Sequence, residues 1–311
     1  MENVIESFEK NGFYLFKSVF TPDEINEFRK ACEKLINEPR DEFLGDTTHI
    51  KSDAFKRSRK ISELFFDDKL IKRIKDVLGD HFHIIPEISV MKSQFGRWHK
   101  DTTSIELFGQ DFHKNENFRV VNVAIYCQDN NEYGGGLDVV PGSHKENDPY
   151  TDYYRKESDE HEKKKQQPKV EVQTPKPGLI TLMKRGVGRI LRSTPFIKKY
   201  FITKQIFTHP LDSEDTKQNK YKIPTEAGDV AIFDLRLDHK ASWPTVQIED
   251  PDKHVKYAFF AICGRNNEET VHYREYLNER SKTQEAYAYL KDYQLNDYLG
   301  EMEKKFNITL S

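Results

Sequence analysis

The sequence predicts a mainly β protein, a sandwich or barrel of short strands with helices on its flanks. Five segments between residues 83 and 263 are rich in β-branched residues, and turn signals such as residues 134–136 and 141–143 separate them. Apolar residues at helical spacing lie before and after this region. A chain of 311 residues can bury a full core, so we expect one domain that carries an insertion.

The N-terminal region, residues 1–82, is predicted to hold one strand and two helices. Residues 12–17 have the composition of a short strand. A helix start follows at residues 21–24, where a threonine N-cap, a proline and a capping-box glutamate succeed one another. A second helix is expected over residues 62–78. These helices would pack on one face of the barrel.

The predicted jelly-roll core covers residues 83–144 and 223–265. Its strands combine β-branched residues with alternating apolar positions, as a half-buried strand requires. The strands are expected at residues 84–95, 117–129, 134–141, 228–239 and 255–263.

Residues 145–222 interrupt the strand pattern and are predicted to form a helical insertion. Residues 156–169 are charged and poor in apolar side chains, which indicates a mobile loop. Between Glu171 and Asp212 the chain has eight lysines and arginines and no acidic residue, with apolar residues at helical spacing. Two interpretations stay open: a helical lid, or a docking surface through residues 176–204 for an anionic substrate, a carrier or a membrane face.

The C-terminal region, residues 266–311, has a charged helical pattern. A helix with an aromatic stripe is expected over residues 284–299. The stripe is typical of packing or of a contact between subunits, and the oligomeric state stays undetermined.

Charge and cysteine content exclude several classes of protein. A formal net charge of −3 gives no general attraction to nucleic acid. Cys32, Cys127 and Cys263 are odd in number and widely spaced, which argues against a disulfide framework and a zinc site. The first residues lack the bases of a signal peptide, and no apolar run is long enough to span a bilayer. We therefore expect a cytoplasmic protein.

The best candidate for a chemical site is the pair His99 and Asp101. Residues two apart share a face of an extended strand, so one metal ion could contact both side chains. His239, at the end of the predicted strand 228–239, is the candidate for a third ligand. Two imidazoles and one carboxylate suit non-haem Fe(II) and leave positions open for a co-substrate and O₂.

Three blocks of the sequence occur in the order found in one enzyme family. They are residues 98–101, residues 122–144 with their glycine turn, and residues 228–239. On these blocks the chain resembles the phytanoyl-CoA dioxygenase family of Fe(II)/2-oxoglutarate oxygenases. The resemblance covers most of residues 1–145 and 223–265. It implies a double-stranded β-helix, the cupin-like jelly roll, with Fe(II), 2-oxoglutarate and O₂ as cofactor and co-substrates.

The resemblance also implies residues for the 2-oxoglutarate pocket. The family usually places an arginine on the strand after the distal histidine to bind the far carboxylate. This chain has Lys256 in that region and no arginine between His239 and Arg265, with Arg236 as the next candidate. Asn122 stands at the strand position from which the family contacts 2-oxoglutarate, and Ser242, which closely follows the distal histidine, is a second candidate. The alternative that either is an ordinary strand or turn residue stays open. His144 would lie near the pocket mouth and not on the metal.

The expected activity is hydroxylation of a small-molecule substrate with release of succinate and CO₂. An aspartate at position 101 argues against the related halogenases, in which a small residue stands there. The basic insertion favours an anionic or carrier-linked substrate. Three alternatives stay open: a metal-free cupin-like binding module, a desaturase or cyclase of the same oxygenase class, and a peripheral membrane protein.

Overall fold

The computed structural model describes residues 3–41, 44–93, 96–156, 219–248, 250, 254–291 and 293–310. The chain divides into two compact units, residues 1–148 together with 219–311, and residues 149–218. The second unit falls within the predicted insertion. Its described residues, 149–156, are helical. The loop and the basic helices predicted between residues 156 and 212 lie outside the described residues.

Ten described strands of the first unit form two sheets. The major sheet contains β1 (Phe13–Phe16), β2 (Ile50–Ser52), β3 (Phe82–Lys92), β4 (Val120–Tyr126), β7 (Val230–Asp234), β9 (Tyr257–Arg265) and β10 (Thr309–Leu310). The minor sheet contains β5 (Leu137–Val139), β6 (Tyr221–Ile223) and β8 (His239–Ala241). The major sheet has the order β1-β7-β4-β9-β3-β10, with β2 also paired to β3, and the minor sheet has the order β6-β5-β8.

All strand pairs are antiparallel except β10 with β3. The described helices of the first unit are α1 (Val4–Asn11), α2 (Pro22–Ile36), α3 (Ala54–Arg57), α4 (Arg59–Phe65), α5 (Asp68–Leu78), α6 (Thr103–Leu107), α7 (Glu268–Thr283) and α8 (Asp297–Phe306). Short 3₁₀ turns cover Phe112–Lys114, Ser143–Lys145 and Glu285–Leu290. The prediction of a mainly β protein with flanking helices is confirmed.

The two faces of the major sheet have different partners, and β4 shows this most clearly. Its odd-numbered residues Val121, Val123 and Ile125 are buried in the core that contains the apolar side chains of α2, α4 and α5. Ala124 and Tyr126 point the other way and pack with the minor sheet. We call the side that faces the minor sheet the inner face. It is the side on which the candidate site lies.

The N-terminal elements follow the predicted signals with one correction. Thr21 caps α2, and Glu24 completes the predicted capping box. The predicted helix over residues 62–78 is instead two helices, because Asp67 adopts an extended backbone and caps α5 by accepting a hydrogen bond from the amide of Lys69.

The predicted strand over residues 228–239 is wrong at its end. β7 stops at Asp234, whose carboxylate accepts hydrogen bonds from both the backbone amide and the guanidinium of Arg236. The resulting turn brings His239 to the start of β8, in the other sheet. The helix predicted over residues 284–299 is also wrong, since a 3₁₀ turn and an irregular stretch separate α7 from α8.

Candidate metal centre

His99 and His239 lie opposite each other in an isolated antiparallel β-bridge. Their ring centroids are 4.3 Å apart. The Nδ1 atom of His99 is 2.6 Å from the carbonyl oxygen of Arg97, and that of His239 is 2.8 Å from the carbonyl oxygen of Leu237. A carbonyl only accepts hydrogen bonds, so each Nδ1 carries the proton and each Nε2 keeps its lone pair for a metal.

Asp101 brings a carboxylate to the two Nε2 atoms. Its Oδ1 is 3.4 Å from Nε2 of His99 and 3.8 Å from Nε2 of His239. The three ligand atoms lie within 4.8 Å of one another. His99 and Asp101 do not share a strand as predicted: Asp101 follows the bridge in the turn that leads into α6. The turn, and not strand alternation, aims the carboxylate.

The residues present fit a divalent metal ion. The Oδ2 atom of Asp101 is buried and has no hydrogen-bond partner among the described residues. A buried carboxylate oxygen without a partner is costly unless a ligand satisfies it. Two neutral imidazoles and one carboxylate on one side of the ion are the donor set typical of non-haem Fe(II).

The pKa values of the triad show how strongly its members interact. Burial would raise the pKa of Asp101, yet the positive charges available at His239 and His99 lower it below its usual range. Burial lowers the pKa of both imidazoles, but the hydrogen bond with Asp101 reverses the effect at His99 and leaves its pKa raised. The pKa of His239 stays lowered, because the neighbouring His99 adds to the effect of burial.

A cavity of about 250 Å³ extends from the triad along the inner face of the major sheet. Apolar side chains such as Phe233 and Phe260 form much of its lining. Its polar lining residues outside the triad include Asn122, Tyr126 and Lys256. The cavity thus joins a metal-binding cluster to a buried cation.

Lys256 stands just before β9 and is 6% exposed. Its ammonium donates a hydrogen bond to the carbonyl oxygen of Asp129 at 2.9 Å and lies 5.2 Å from the centre of the Tyr133 ring. Burial lowers the pKa of Lys256 to about 8. Among the described residues, no carboxylate forms an ion pair with this ammonium, so it remains available to an anion that enters the cavity.

A family model described as phytanoyl-CoA dioxygenase (PhyH) matches residues 8–243. The chain belongs to this family. The resemblance inferred from the three sequence blocks is therefore confirmed. The matched range includes His99, Asp101 and His239, whereas Lys256 lies beyond it.

Curated relatives of this dioxygenase-family chain include the ectoine dioxygenases of Streptomyces coelicolor and Bordetella bronchiseptica. The first is 27% identical over 158 residues, which are 45% of this chain and 50% of the relative. The second is 25% identical over 160 residues, which are 46% of this chain and 49% of the relative. The chain thus spans about half the length of the curated relatives it matches.

Solved structures confirm the jelly-roll fold. HygX from Streptomyces hygroscopicus with nickel and 2-oxoglutarate bound has a TM-score of 0.53 at 15% identity, covering 86% of this chain and 87% of that chain. Apo EctD from S. alaskensis has a TM-score of 0.52 at 14% identity, covering 85% of this chain and 77% of that chain. At such low identity the likeness concerns the fold.

The other residues singled out from the sequence lie apart from the triad. The Ser242 hydroxyl donates to Oδ1 of Asp138 at 2.6 Å, and Ser242 is not among the lining residues of the cavity. Arg236 binds Asp234 and lines a second cavity of about 400 Å³, which it shares with His144. Arg236 is therefore wrong as the second candidate for the cation in the metal-site cavity.

Tyr126 is the lining residue that sequence reasoning missed. Its hydroxyl is buried and has no hydrogen-bond partner among the described residues. Tyr126 follows Asn122 by four residues on β4, so both lie on the inner face of the sheet. The even spacing between Tyr126 and Asn122, which was already a candidate, is the sequence signal that could have identified Tyr126.

A search of the described residues for membrane-spanning helices finds no helix of sufficient length and apolar character.

Proposed function

We propose that this protein is a non-haem Fe(II), 2-oxoglutarate-dependent dioxygenase that hydroxylates a small-molecule substrate and releases succinate and CO₂. The observation that carries the proposal is the convergence of two Nε2 atoms and one carboxylate in a cavity that also contains the Lys256 ammonium. Metal analysis of the purified protein, followed by an assay of succinate release with Fe(II) and 2-oxoglutarate, tests it.

His99, Asp101 and His239 would hold the iron. Bound Fe(II) together with 2-oxoglutarate supplies the oxidising power for cleaving a C–H bond with O₂. The chain contributes the positions of the ligands, since backbone carbonyls orient both imidazoles. A substrate bound against the apolar lining of the cavity would exclude water from the reacting atoms.

Lys256 would pair with the far carboxylate of 2-oxoglutarate. A lysine acts as a point charge and, unlike an arginine, offers no bidentate fork, so other donors must orient the carboxylate. The hydroxyl of Tyr126 would donate such a hydrogen bond; in support, Tyr126 lines the same cavity and its hydroxyl lacks a partner among the described residues. Asn122, on the same strand face, would contact the end nearer the metal.

Ser242 receives less support as a co-substrate residue. Its hydroxyl donates a hydrogen bond to Asp138, and this hydrogen bond links β5 to the segment that follows β8. Loss of Ser242 would therefore act through the position of β8, which begins with His239. A Ser242→Ala variant should change metal affinity more than the KM for 2-oxoglutarate.

The competing class is a metal-free cupin-like binding module. The unsatisfied Oδ2 of Asp101 favours the metal centre, because a module without metal would leave that atom buried without a partner. Replacement of His99 separates the two: a binding module would keep its ligand affinity, whereas the dioxygenase would lose Fe(II).

The identity of the substrate is a separate proposal. The curated relatives named ectoine dioxygenases make ectoine a suitable first probe for succinate release. The anionic substrate expected from the basic segment rests on residues outside the described ones. Reversal of Arg185, Arg189 and Arg192 to glutamate should raise the substrate KM most at low salt if that expectation is right.

A further inference from the structure

A β-bulge interrupts the pairing of β3 with β9. Ile85 pairs with Ile262 and Ile88 with Ala261, so Pro86 and Glu87 are extra residues on β3. Bulges redirect side chains and are frequent beside active sites. A proline is tolerated at such a position because the bulge requires no ladder hydrogen bond from it.

The bulge places the Glu87 carboxylate against helix α7. Oε2 of Glu87 accepts a hydrogen bond from the Tyr273 hydroxyl at 2.7 Å. Tyr273 packs with Ile85 and Ile262 in a buried cluster, and Phe260, one inner-face position further along β9, lines the metal-site cavity. The carboxylate therefore lies at the end of the inner face where α7 covers the sheet.

Four tyrosines belong to α7 and the turn that follows it, of which Tyr273 contacts this carboxylate, and we call them the tyrosine wall. Two lie on α7 and two in the 3₁₀ turn that follows it: Tyr273, Tyr276, Tyr287 and Tyr289. Arg280 stacks over the Tyr287 ring with its guanidinium carbon 3.8 Å from the ring centre. Glu87, Tyr287 and Tyr289 each keep part of their surface exposed, so a ligand can contact them.

Hydrogen bonds connect the tyrosine wall to the metal centre. The Tyr276 hydroxyl donates to Oγ of Ser104 at 2.9 Å. The Ser104 hydroxyl in turn donates to the carbonyl oxygen of Asp101 at 3.2 Å. Burial raises the pKa of Glu87, whereas the hydrogen bond from Tyr273 and the positive charge of Arg280 act in the opposite direction. The wall residues are not among the lining residues of the metal-site cavity, but Tyr276 and Ser104 join the wall to the backbone of the turn that carries Asp101.

The chemistry of the wall favours one kind of ligand group. A carboxylate accepts hydrogen bonds at several lone pairs, and the Tyr273 hydroxyl satisfies one of those at Glu87. The guanidinium of Arg280 donates to the Tyr276 hydroxyl and to Gln284, and among the described residues it forms no ion pair with Glu87. An ammonium or hydroxyl group can therefore donate to Glu87 and pack against the aromatic rings, whereas an anionic group would meet its negative charge. No step of metal or co-substrate binding described above uses these residues.

We propose that Glu87 and the tyrosine wall bind the substrate that is oxidised and select one that presents a hydrogen-bond donor, an ammonium or a hydroxyl group, to Glu87. This inference rests on the proposed dioxygenase function and adds the substrate class. Glu87 is a specificity-determining residue in this assignment, while Tyr276 and Ser104 position the turn that carries Asp101.

The test measures succinate release by the full-length Fe(II) protein with three probes of similar size: sorbitol, 1,6-diaminohexane and adipate. We expect a hydroxyl-bearing or amine-bearing probe to stimulate succinate release and adipate to have no effect. Stimulation by sorbitol alone indicates a hydroxyl ligand, and stimulation by the diamine alone an ammonium ligand.

Glu87→Gln keeps the shape and can still accept from Tyr273, but it removes the charge. We expect the KM for the stimulating probe to rise about tenfold more than the KM for 2-oxoglutarate. Tyr273→Phe should move the probe KM in the same direction by a smaller factor, and it replaces Glu87→Gln should that variant fail to fold. Glu106→Gln is the matched control, because Glu106 is a half-buried acid whose ion-pair partners, His113 and Lys114, are not residues of the wall.

Separate readouts distinguish this inference from the proposed function. Calorimetric titration with Fe(II) and then 2-oxoglutarate tests the proposed dioxygenase function. If neither Fe(II) nor 2-oxoglutarate binds, the proposal that the tyrosine wall binds a substrate loses its basis. If both bind, the inference is overturned when no donor-bearing probe stimulates turnover. It is equally overturned when adipate stimulates turnover, or when Glu87→Gln leaves the probe KM unchanged relative to 2-oxoglutarate.

Discussion

His99 and His239 exchange both backbone hydrogen bonds of their bridge, with N···O distances of 2.9 Å in each direction. The main chain therefore brings the two imidazoles together before any metal binds. Residues 140 positions apart in the sequence become neighbours on one face, as in a hydrogen-bonded pair of an antiparallel ladder. Because the backbone and not the rings makes these bonds, the bridge should tolerate loss of either side chain.

The first prediction concerns the metal ligands. Replacing His99, Asp101 or His239 with alanine should in each case abolish Fe(II)-dependent succinate release, because two ligands hold the ion far less tightly than three. The fold should persist, which far-UV circular dichroism and thermal unfolding would show. His272→Ala is the control, since this histidine is 41% exposed on α7 and outside the triad. Full activity in His239→Ala would show that the triad is wrong.

The second prediction concerns the cation for 2-oxoglutarate. Lys256→Ala should raise the KM for 2-oxoglutarate strongly, since a carboxylate that loses its partner in a buried pocket costs about 1–3 kcal/mol. Lys256→Arg should restore binding incompletely, because a planar fork needs different space. Lys222→Ala is the matched control, a half-buried lysine that donates to the carbonyl of Asn131 outside the cavity. Equal titrations for parent and Lys256→Ala would assign the role to another residue.

The third prediction is a pH dependence. Burial lowers the pKa of Lys256 to about 8, so the ammonium is charged below that pH and becomes neutral as the pH rises through it. The KM for 2-oxoglutarate should therefore be constant below pH 8 and increase above it. Arginine stays charged throughout this range, so the Lys256→Arg variant should lack the increase whatever its absolute KM. The same increase in the arginine variant would assign the titration to a different group.

Local signals in the sequence were sufficient to predict the helices and strands that depend on local contacts. The capping box at Thr21 and Glu24 marked the start of α2, because those two residues satisfy each other within one turn. The alternation of Val121, Val123 and Ile125 marked β4, because one face of that strand is buried against helices. The family blocks then placed both histidines and the aspartate in one cluster.

Other features depend on contacts that no local pattern records. The turn after β7 is held by the guanidinium of Arg236, which donates to the carbonyl oxygen of Phe118 far away in sequence, and it moves His239 into the minor sheet. The bulge at Pro86 and Glu87 depends on the register of β3 against β9. The burial of Lys256 depends on the loop at Asp129, which lies far away in sequence. Each is a tertiary effect that outweighs the local propensity of its segment.

The last prediction concerns the glycine turn and its approach to Lys256. Gly135 has a φ of +84°, and a Cβ added there would lie 3.1 Å from Cγ of Lys256. Gly135→Ala should therefore strain the backbone and also displace the lysine stem, which would lower the melting temperature and raise the KM for 2-oxoglutarate.

Gly109 provides the control for that variant. Its φ is +81°, and nothing lies within 4 Å of an added Cβ. Gly109→Ala should carry a similar backbone cost without touching Lys256, so it should lower the melting temperature and leave the 2-oxoglutarate KM as in the parent. Any excess in KM for Gly135→Ala then measures the contact with Lys256. If both variants change the KM equally, the glycine at position 135 serves the turn alone, and the close packing of the loop on Lys256 has no part in co-substrate binding.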